Sequence, residues 1–332
     1  MGNRSFFNMT GKSYRTLTVA ALVISIVAGM VSRPSSALAA QPFQIWLSGV
    51  GPGGRLPGAP DYVATFEPGA PWAHAAAATN VFKVSTNFLA HAPDQTLIAV
   101  MTGLRQRHIA LAMEGLMLQP TQSCGHGVEG YTGPHVLERI AARVRKFGGT
   151  IAYLAMDEPV FFGHTRIGPN TCNASLDSLA AQIAQKVQLF RNAFPGIIIG
   201  DIEPLTHKTT GSLETILAFA HILTKMTGVS LAFVDADVDW HFDYQRQLET
   251  WRRSLHNDGM RLGVICNGDF SADSDQAWAT EAIERYRAVT RNQTTSPDDV
   301  IFQSWMPRPA YMLPEDRFGT MTSVVAGAIA AP

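Results

Sequence analysis

Charge is scarce in this chain and almost balanced. Asp, Glu, Lys and Arg make up 16% of 332 residues and sum to a formal net charge of −1. Nucleic acid and anionic membrane surfaces attract strongly basic proteins, so neither is the default partner. Histidine is sparse and badly placed for metal: none falls on an expected strand end, and no HxH or HExxH spacing occurs. Cysteine is rarer still, with three residues. No short repeat and no low-complexity linker divides the chain. What it does have is apolar mass, 46% of the residues, ample for a large core. One β/α barrel of about 250 residues plus extensions would use most of the length, although length alone also allows two domains.

The N-terminus stands apart. Arg4, Lys12 and Arg15 precede an apolar run from Thr16 to Val31, and Ala37-Leu38-Ala39 follows as a small-x-small cleavage pattern. This arrangement predicts a secretory signal peptide over residues 1–39, cut near Ala39 or Ala40. The rival is an uncleaved single-span anchor, for which the run is slightly short. Either way residues 40–332 leave the cytoplasm, to a secreted or periplasmic location. Export permits disulfides. Cys124 and Cys172 lie in loops rich in Gly, Asn and Thr and form the natural pair, with two unpaired loop thiols as the alternative. Cys266 sits inside an apolar run and reads as a buried free thiol.

The stretch that organises the rest is Ile151-Ala-Tyr-Leu-Ala-Met-Asp-Glu-Pro159. Six apolar residues run into two adjacent carboxylates, and Pro159 then stops the ladder because it has no N–H to donate. A buried strand that opens onto paired acids is how a parallel barrel presents a general acid at its carboxyl-end face. The bland alternative is a turn whose acids face water.

Similar stretches recur along the chain. Strands are expected over 43–48, 80–86, 109–114, 197–203, 229–235, 262–267 and 300–305, with the opening stretch fourth among them. Between them lie helical patterns from Asp94 (as N-cap) to Arg107, Pro134 to Lys146, Leu176 to Phe194, Ser212 to Met226, Tyr244 to Asn257 and Asp273 to Val289. A short last helix runs from about Asp316. Eight strands alternating with helices predict an α/β fold, a single (β/α)8 TIM barrel, since eight is the number that closes. The glycine-rich turn Gly49–Gly54 has neither GxGxxG nor P-loop spacing and reads as a strand-to-helix loop.

Strands of a parallel sheet are buried on both faces and should be apolar almost throughout. Here polar residues gather on one parity near the strand ends: Lys83, Ser85 and Asn87; Glu114; Asp201 and Glu203; Asp235, Asp237 and Asp239; Asn267 and Asp269; Gln303 and Trp305. Residues two apart on a strand point the same way, so each set is expected to line the mouth of the barrel. A solvated loop just past the strand explains Asp239 and Asp269 equally well. It explains Lys83, Asp201 and Asp235 poorly, because those residues sit against apolar neighbours.

Carboxylates together with aromatic residues near strand ends (Trp46, Phe161, Phe162, Trp240, Trp305, Tyr311) in an exported chain point to carbohydrate. Aromatic faces stack on sugar C–H surfaces, and acids and amides bind hydroxyls. Glycoside hydrolysis needs two carboxyl groups across the scissile bond, one of them protonated.

On these residues the chain resembles the barrel glycoside hydrolases of the large clan A, in the glutamate that ends strand four and the tryptophan that ends strand eight. It departs from that clan at Asp157, where Asn is usual, and at Asn267-Gly-Asp269, where the strand-seven nucleophile glutamate would stand. The Asp157-Glu158 pair resembles the exo-acting β-N-acetylhexosaminidases, in which the Asp orients the substrate's own acetamide and the Glu is the acid. The resemblance implies Glu158 as general acid. Its partner is then Asp157 if the acetamide assists, or else one of Glu203, Asp235 and Asp269. Asp201, Asn267, Gln303 and Trp305 would position the sugar, with Trp46, Lys83, Asn87, Glu114 and Asp237 around them. No cofactor is expected, and the partner is a carbohydrate bound by a monomer. Two other readings remain. One is a barrel enzyme using Mg²⁺ or Mn²⁺ held by Glu158, Asp201, Glu203 and Asp235. The other is a sugar-binding barrel that has lost its chemistry.

Overall fold

The computed structural model describes residues 44–49, 51–52, 58–206 and 212–330. The expected signal peptide, Val50, Gly53 and Gly54 of the glycine-rich turn, and His207 lie outside them. The eight parallel strands are β1 (Gln44–Ser48), β2 (Val81–Ser85), β3 (Ala110–Gly115), β4 (Tyr153–Asp157), β5 (Ile198–Leu205), β6 (Phe233–Val238), β7 (Arg261–Cys266) and β8 (Asp299–Gln303). Each pairs with the next, and β1 pairs with β8, so the sheet is a closed barrel. Trp46 lies opposite Val81 on one side and Ile301 on the other, which fixes the register of closure.

The described helices are α1 (Ala73–Ala78), α2 (Thr86–His91), α3 (Asp94–Gln106), α4 (Val136–Lys146), α5 (Leu176–Ala193), α6 (Ser212–Thr227), α7 (Tyr244–Asn257), α8 (Asp275–Thr290) and α9 (Met321–Ile329). Short polar side chains start several of them. Ser85, Ser175, Ser274 and Thr320 each accept a first-turn backbone N–H, which satisfies a donor the helix itself cannot. The expected Asp94 cap is different. Asp94 is the first helical residue, with Pro93 before it, and its carboxylate pairs with Arg143 of α4 at 2.8 Å.

Two separate apolar clusters show the pleat at work. The outward-facing strand residues join the helices in one large core. The inward-facing ones fill the barrel: Trp46 packs edge-on against Tyr153 (centroids 4.9 Å apart) and Phe233 (5.4 Å), beneath Ala155, Ile202 and Ile265. Each aromatic pair adds about 1 kcal/mol beyond the area it buries. Trp46 is therefore barrel core and not part of the mouth.

Two residues further along the same inward faces the chemistry changes. Val81 is followed by Lys83, Ala112 by Glu114, Ala155 by Asp157, and Ile301 by Gln303. Strand β5 breaks the rule. Its inward residue is Ile202, so Asp201 and Glu203 are buried on the opposite face, toward the helices. Strand β6 also differs from expectation, because its ladder runs on through Asp237 and Val238. Asp235 therefore sits inside the barrel and not at its rim.

There Asp235 is fully buried, and neither of its carboxyl oxygens has a hydrogen-bond partner. Gly263 of β7 makes room for it, since a Cβ at that position would run into the carboxyl. Burial raises its pKa from 3.8 to about 8, against the opposing pull of the Lys83 charge. Between those two pH values the folded chain holds a proton that the unfolded chain has released. This group's contribution to stability therefore declines as pH rises from about 4 to about 8. Asp235→Asn should remove that dependence. Thermal unfolding should show the variant gaining on the parent by a few kcal/mol at about pH 8, and by little at about pH 5. An equal change at both pH values would contradict the assignment.

Candidate functional site

A cavity of about 950 Å³ opens at the carboxyl ends of the strands. Its floor is made by Ser85, Glu114, Asp157, Asp237 and Gln303, one residue from each of five strands, with Ile202 and Ile265 between them. Its side is the long loop between β3 and α4, and Phe270 and Trp305 stand at the rim. These two rings are 65% and 36% exposed, with centroids 6.5 Å apart.

On the floor, Glu114 is the shared acceptor. Its Oε2 lies 2.8 Å from Lys83 Nζ and also 2.8 Å from Gln303 Nε2, which donates to it. Lys83 is wholly buried and is the central cation of the barrel. Its charge opposes the rise in pKa at Asp157, Asp235 and Asp237.

Glu158 sits at a deliberate turn. Its N–H still donates to Ile202 O (3.0 Å), continuing the β4 ladder one residue past Asp157. Its φ is then +48°, a left-handed conformation that costs a non-glycine residue roughly 1 kcal/mol or more. The chain is held there from behind. Glu203 Oε1 accepts the Val160 N–H at 2.7 Å, and Oε2 accepts the Phe161 N–H at 3.0 Å. Strain concentrated on one acidic residue, with a buried carboxylate anchoring the next two amides, marks this turn as the part of the site the fold works hardest to hold.

Burial is the main cause that pushes the Glu158 carboxyl well above the usual carboxylate range. The negative charges of Asp237, Asp157, Glu203 and Glu129 add to it, in that order. Asp157 is raised in the same way, by burial and then by Glu114 and Glu129. Asp237 is pushed up to about 6, with Lys83 pulling against burial. These three half-buried acids face one space and press on one another.

Glu129 is the acid that sequence reasoning passed over. It lies on the β3–α4 loop and lines the cavity. That loop is stitched to the segment after β4 by the Cys124–Cys172 disulfide, by Gly125 N–H donating to Asn170 O (2.6 Å), and by Asn170 Nδ2 donating to His126 O (3.2 Å). At Gly130 (φ +79°) a Cβ would lie 3.1 Å from Asp157 O, so only glycine lets the loop come this close. The signal in the sequence was its place in a loop that also holds Cys124, Gly127 and Gly130. Phe270 was missed as well, since it follows the acid at 269 in an irregular segment.

The remaining expected residues divide clearly. Asn87 lines the cavity, as do Glu114, Asp157, Glu158, Asp237, Gln303 and Trp305. Trp46 and Asp235 lie below it in the barrel, and Asp201 and Glu203 lie behind it. Asn267 and Asp269 turn toward α8. Asn267 Oδ1 accepts from Trp240 Nε1 and Arg285 Nη1, both at 3.0 Å. Asp269 pairs with Arg285 at 3.2 Å and with His241 at 2.9 Å. Hydrogen bonds from Ser271 hold its carboxyl below the ordinary range. Cys266 is a buried free thiol. Among the described residues no group of three or more His, Cys, Asp or Glu side chains is placed to hold a metal ion, and no helix is long and apolar enough to cross a membrane.

The barrel is matched by solved structures. A thermostable mutant of a xylanase from Cellvibrio japonicus superposes with a TM-score of 0.53 at 8% identity, over 89% of this chain and 99% of that one. Xylanase B from Clostridium stercorarium F9 gives 0.51 at 12% identity, over 79% and 86%. A mutant xylanase A of P. fluorescens subsp. cellulosa in complex with xylopentaose gives 0.51 at 11%, over 89% and 99%. The likeness is one of fold. No protein-family model and no curated protein sequence matches the chain.

Proposed function

We propose that this chain is an exported glycoside hydrolase with Glu158 as general acid and Asp237 as its partner. The observation that carries the proposal is the strained turn at Glu158. It holds a carboxyl that burial raises well above the ordinary carboxylate range against a cavity that is open at the barrel mouth and rimmed by two aromatic rings. Such a group can give its proton to the oxygen of a scissile glycosidic bond as that bond breaks. Asp237 comes from a different strand and faces the same space. A carboxyl pushed up to about 6 is ionised near neutral pH yet basic enough to take a proton from an attacking water. Two carboxyls whose surroundings hold them at different pKa values divide the acid and base roles. Of the other partners expected from the sequence, Glu203, Asp235 and Asp269 do not line the cavity and Asp157 does. It would serve by orienting an acetamide if the substrate carries one.

Solved enzymes of the same fold include xylanases, one of them with xylopentaose bound, which agrees with a glycan in this cavity. The arrangement of basic residues, apolar run and small-x-small pattern before residue 40 supports export. The test is release of reducing ends by the purified protein from a panel of polysaccharides and aryl glycosides. Absence of turnover on every member would sink the reading.

A second reading has one observation in its favour. The end of β7, where barrel glycosidases of clan A carry their nucleophile, here holds Asn267 and Asp269 locked against Arg285. A sugar-binding barrel without chemistry would show saccharide binding by calorimetry and no released reducing ends.

A further inference from the structure

The Glu158 carboxyl goes where its backbone goes, so what fixes that turn also fixes the acid. Between Glu158 and Phe161 the chain has three N–H groups to place, since Pro159 has none. Strand β5 takes all three. Ile202 O accepts from Glu158 at 3.0 Å, Glu203 Oε1 from Val160 at 2.7 Å, and Glu203 Oε2 from Phe161 at 3.0 Å. The Ile202 side chain belongs to the barrel interior, and Glu203 lies buried on the other face. The clamp therefore grips the turn from outside and takes no space in the cavity.

This clamp differs from the other starts of helical turns in the fold. Helices α2, α5, α8 and α9 each begin on a Ser or Thr that stands just before them. Here both acceptors come from a residue more than forty positions away, on the next strand. The turn they hold is the one whose acid is left-handed, at φ +48°, and lines the cavity. Burial and then the Asp201 charge push the Glu203 carboxyl well above the ordinary range, and the two amides pull it back. The clamp does not depend on that balance. A carboxyl keeps acceptor capacity with or without its proton, whereas an amide nitrogen only donates.

We infer that Glu203 is a positioning residue, which acts through the backbone of Val160 and Phe161 to hold the Glu158 carboxyl at the cavity. Its effect on turnover rests on the reading of Glu158 as general acid; its effect on Glu158 itself does not.

Two variants test it. Glu203→Gln sets an amide donor against one of the two N–H groups, and Glu203→Asp withdraws both oxygens by one methylene. In Glu203→Gln, kcat on a glycan should fall about 10²-fold, as for a displaced catalytic group, with KM close to that of the parent. The loss should be far smaller on a dinitrophenyl glycoside, which needs no proton. The double variant Glu158→Gln/Glu203→Gln should be no slower than Glu158→Gln, because residues that act as a unit do not add. Multiplied losses in the double variant, equal losses on the two substrates, or a parent-like kcat would overturn the inference and leave the glycosidase reading standing. Loss of the folded state in both Glu203 variants would make the residue structural and overturn it too.

A second readout is independent of turnover. Burial is what chiefly raises the Glu158 carboxyl, so a loosened turn that admits water should lower it. Followed by ¹³C NMR, Glu158 should titrate closer to the ordinary value of 4.5 in both Glu203 variants than in the parent. Glu203→Asp keeps the carboxyl, so a fall there separates lost reach from lost charge. An unchanged titration overturns the inference. If no glycan is turned over, or if Glu158→Gln behaves as the parent, the reading of Glu158 fails and this titration alone decides the role of Glu203.

Discussion

Glu158→Gln is expected to lower kcat on an unactivated glycan by about 10²–10⁴-fold, the range for loss of a general acid. The glutamine keeps the shape of the side chain and the left-handed turn behind it, so the unfolding temperature should stay close to that of the parent. What is lost is the proton. A leaving group that needs no proton should therefore report the difference. On a dinitrophenyl glycoside, whose aryloxide departs unaided, the same variant should lose far less activity than on the natural linkage. An equal loss on both substrates would mean that Glu158 binds or orients the sugar and does not protonate it.

Asp237→Asn should produce a loss of similar size, about 10²–10⁴-fold in kcat, with a different signature. In the parent, activity should rise with pH as Asp237 ionises near 6. It should fall again at higher pH as the raised Glu158 carboxyl gives up its proton. The asparagine variant cannot ionise, so the residual activity should lose the rising limb and keep the falling one. Persistence of a limb near 6 in Asp237→Asn would transfer the base role to another acid. Asp157 and Glu129 share the cavity and are the ones to substitute next.

The fold was legible because parallel strands announce themselves as short apolar runs, and eight of them alternated with amphipathic helices. The inward parity of Lys83, Glu114, Asp157 and Gln303 was legible for the same reason, since side chains two apart share a face. Strand β5 misled because periodicity reports that two residues share a face without saying which one. Asp201 and Glu203 do share a face, and it is the outer one. There Glu203 holds the amides of Val160 and Phe161, a task no spacing rule reveals. Asp235 misled differently. It lies within the strand and was read as near its end, because an acid with no hydrogen-bond partner inside a barrel contradicts the pattern that reveals strands. Asn267 and Asp269 left the mouth because Arg285, distant in sequence, draws both toward α8. Glu129 reaches the site through a cross-linked loop, and loops carry no periodicity from which to place a side chain.

Whether scattered acids truly meet in one poorly solvated hollow is best decided by titrating them. Carboxyl carbons labelled with ¹³C can be followed by NMR in the parent and in Glu158→Gln, so that the difference isolates one group. The account requires a carboxyl that titrates well above the ordinary glutamate value of 4.5 and vanishes in the variant. A Glu158 resonance that titrates at that ordinary value would mean an acid facing open water, already ionised at neutral pH and unable to act as the proton donor.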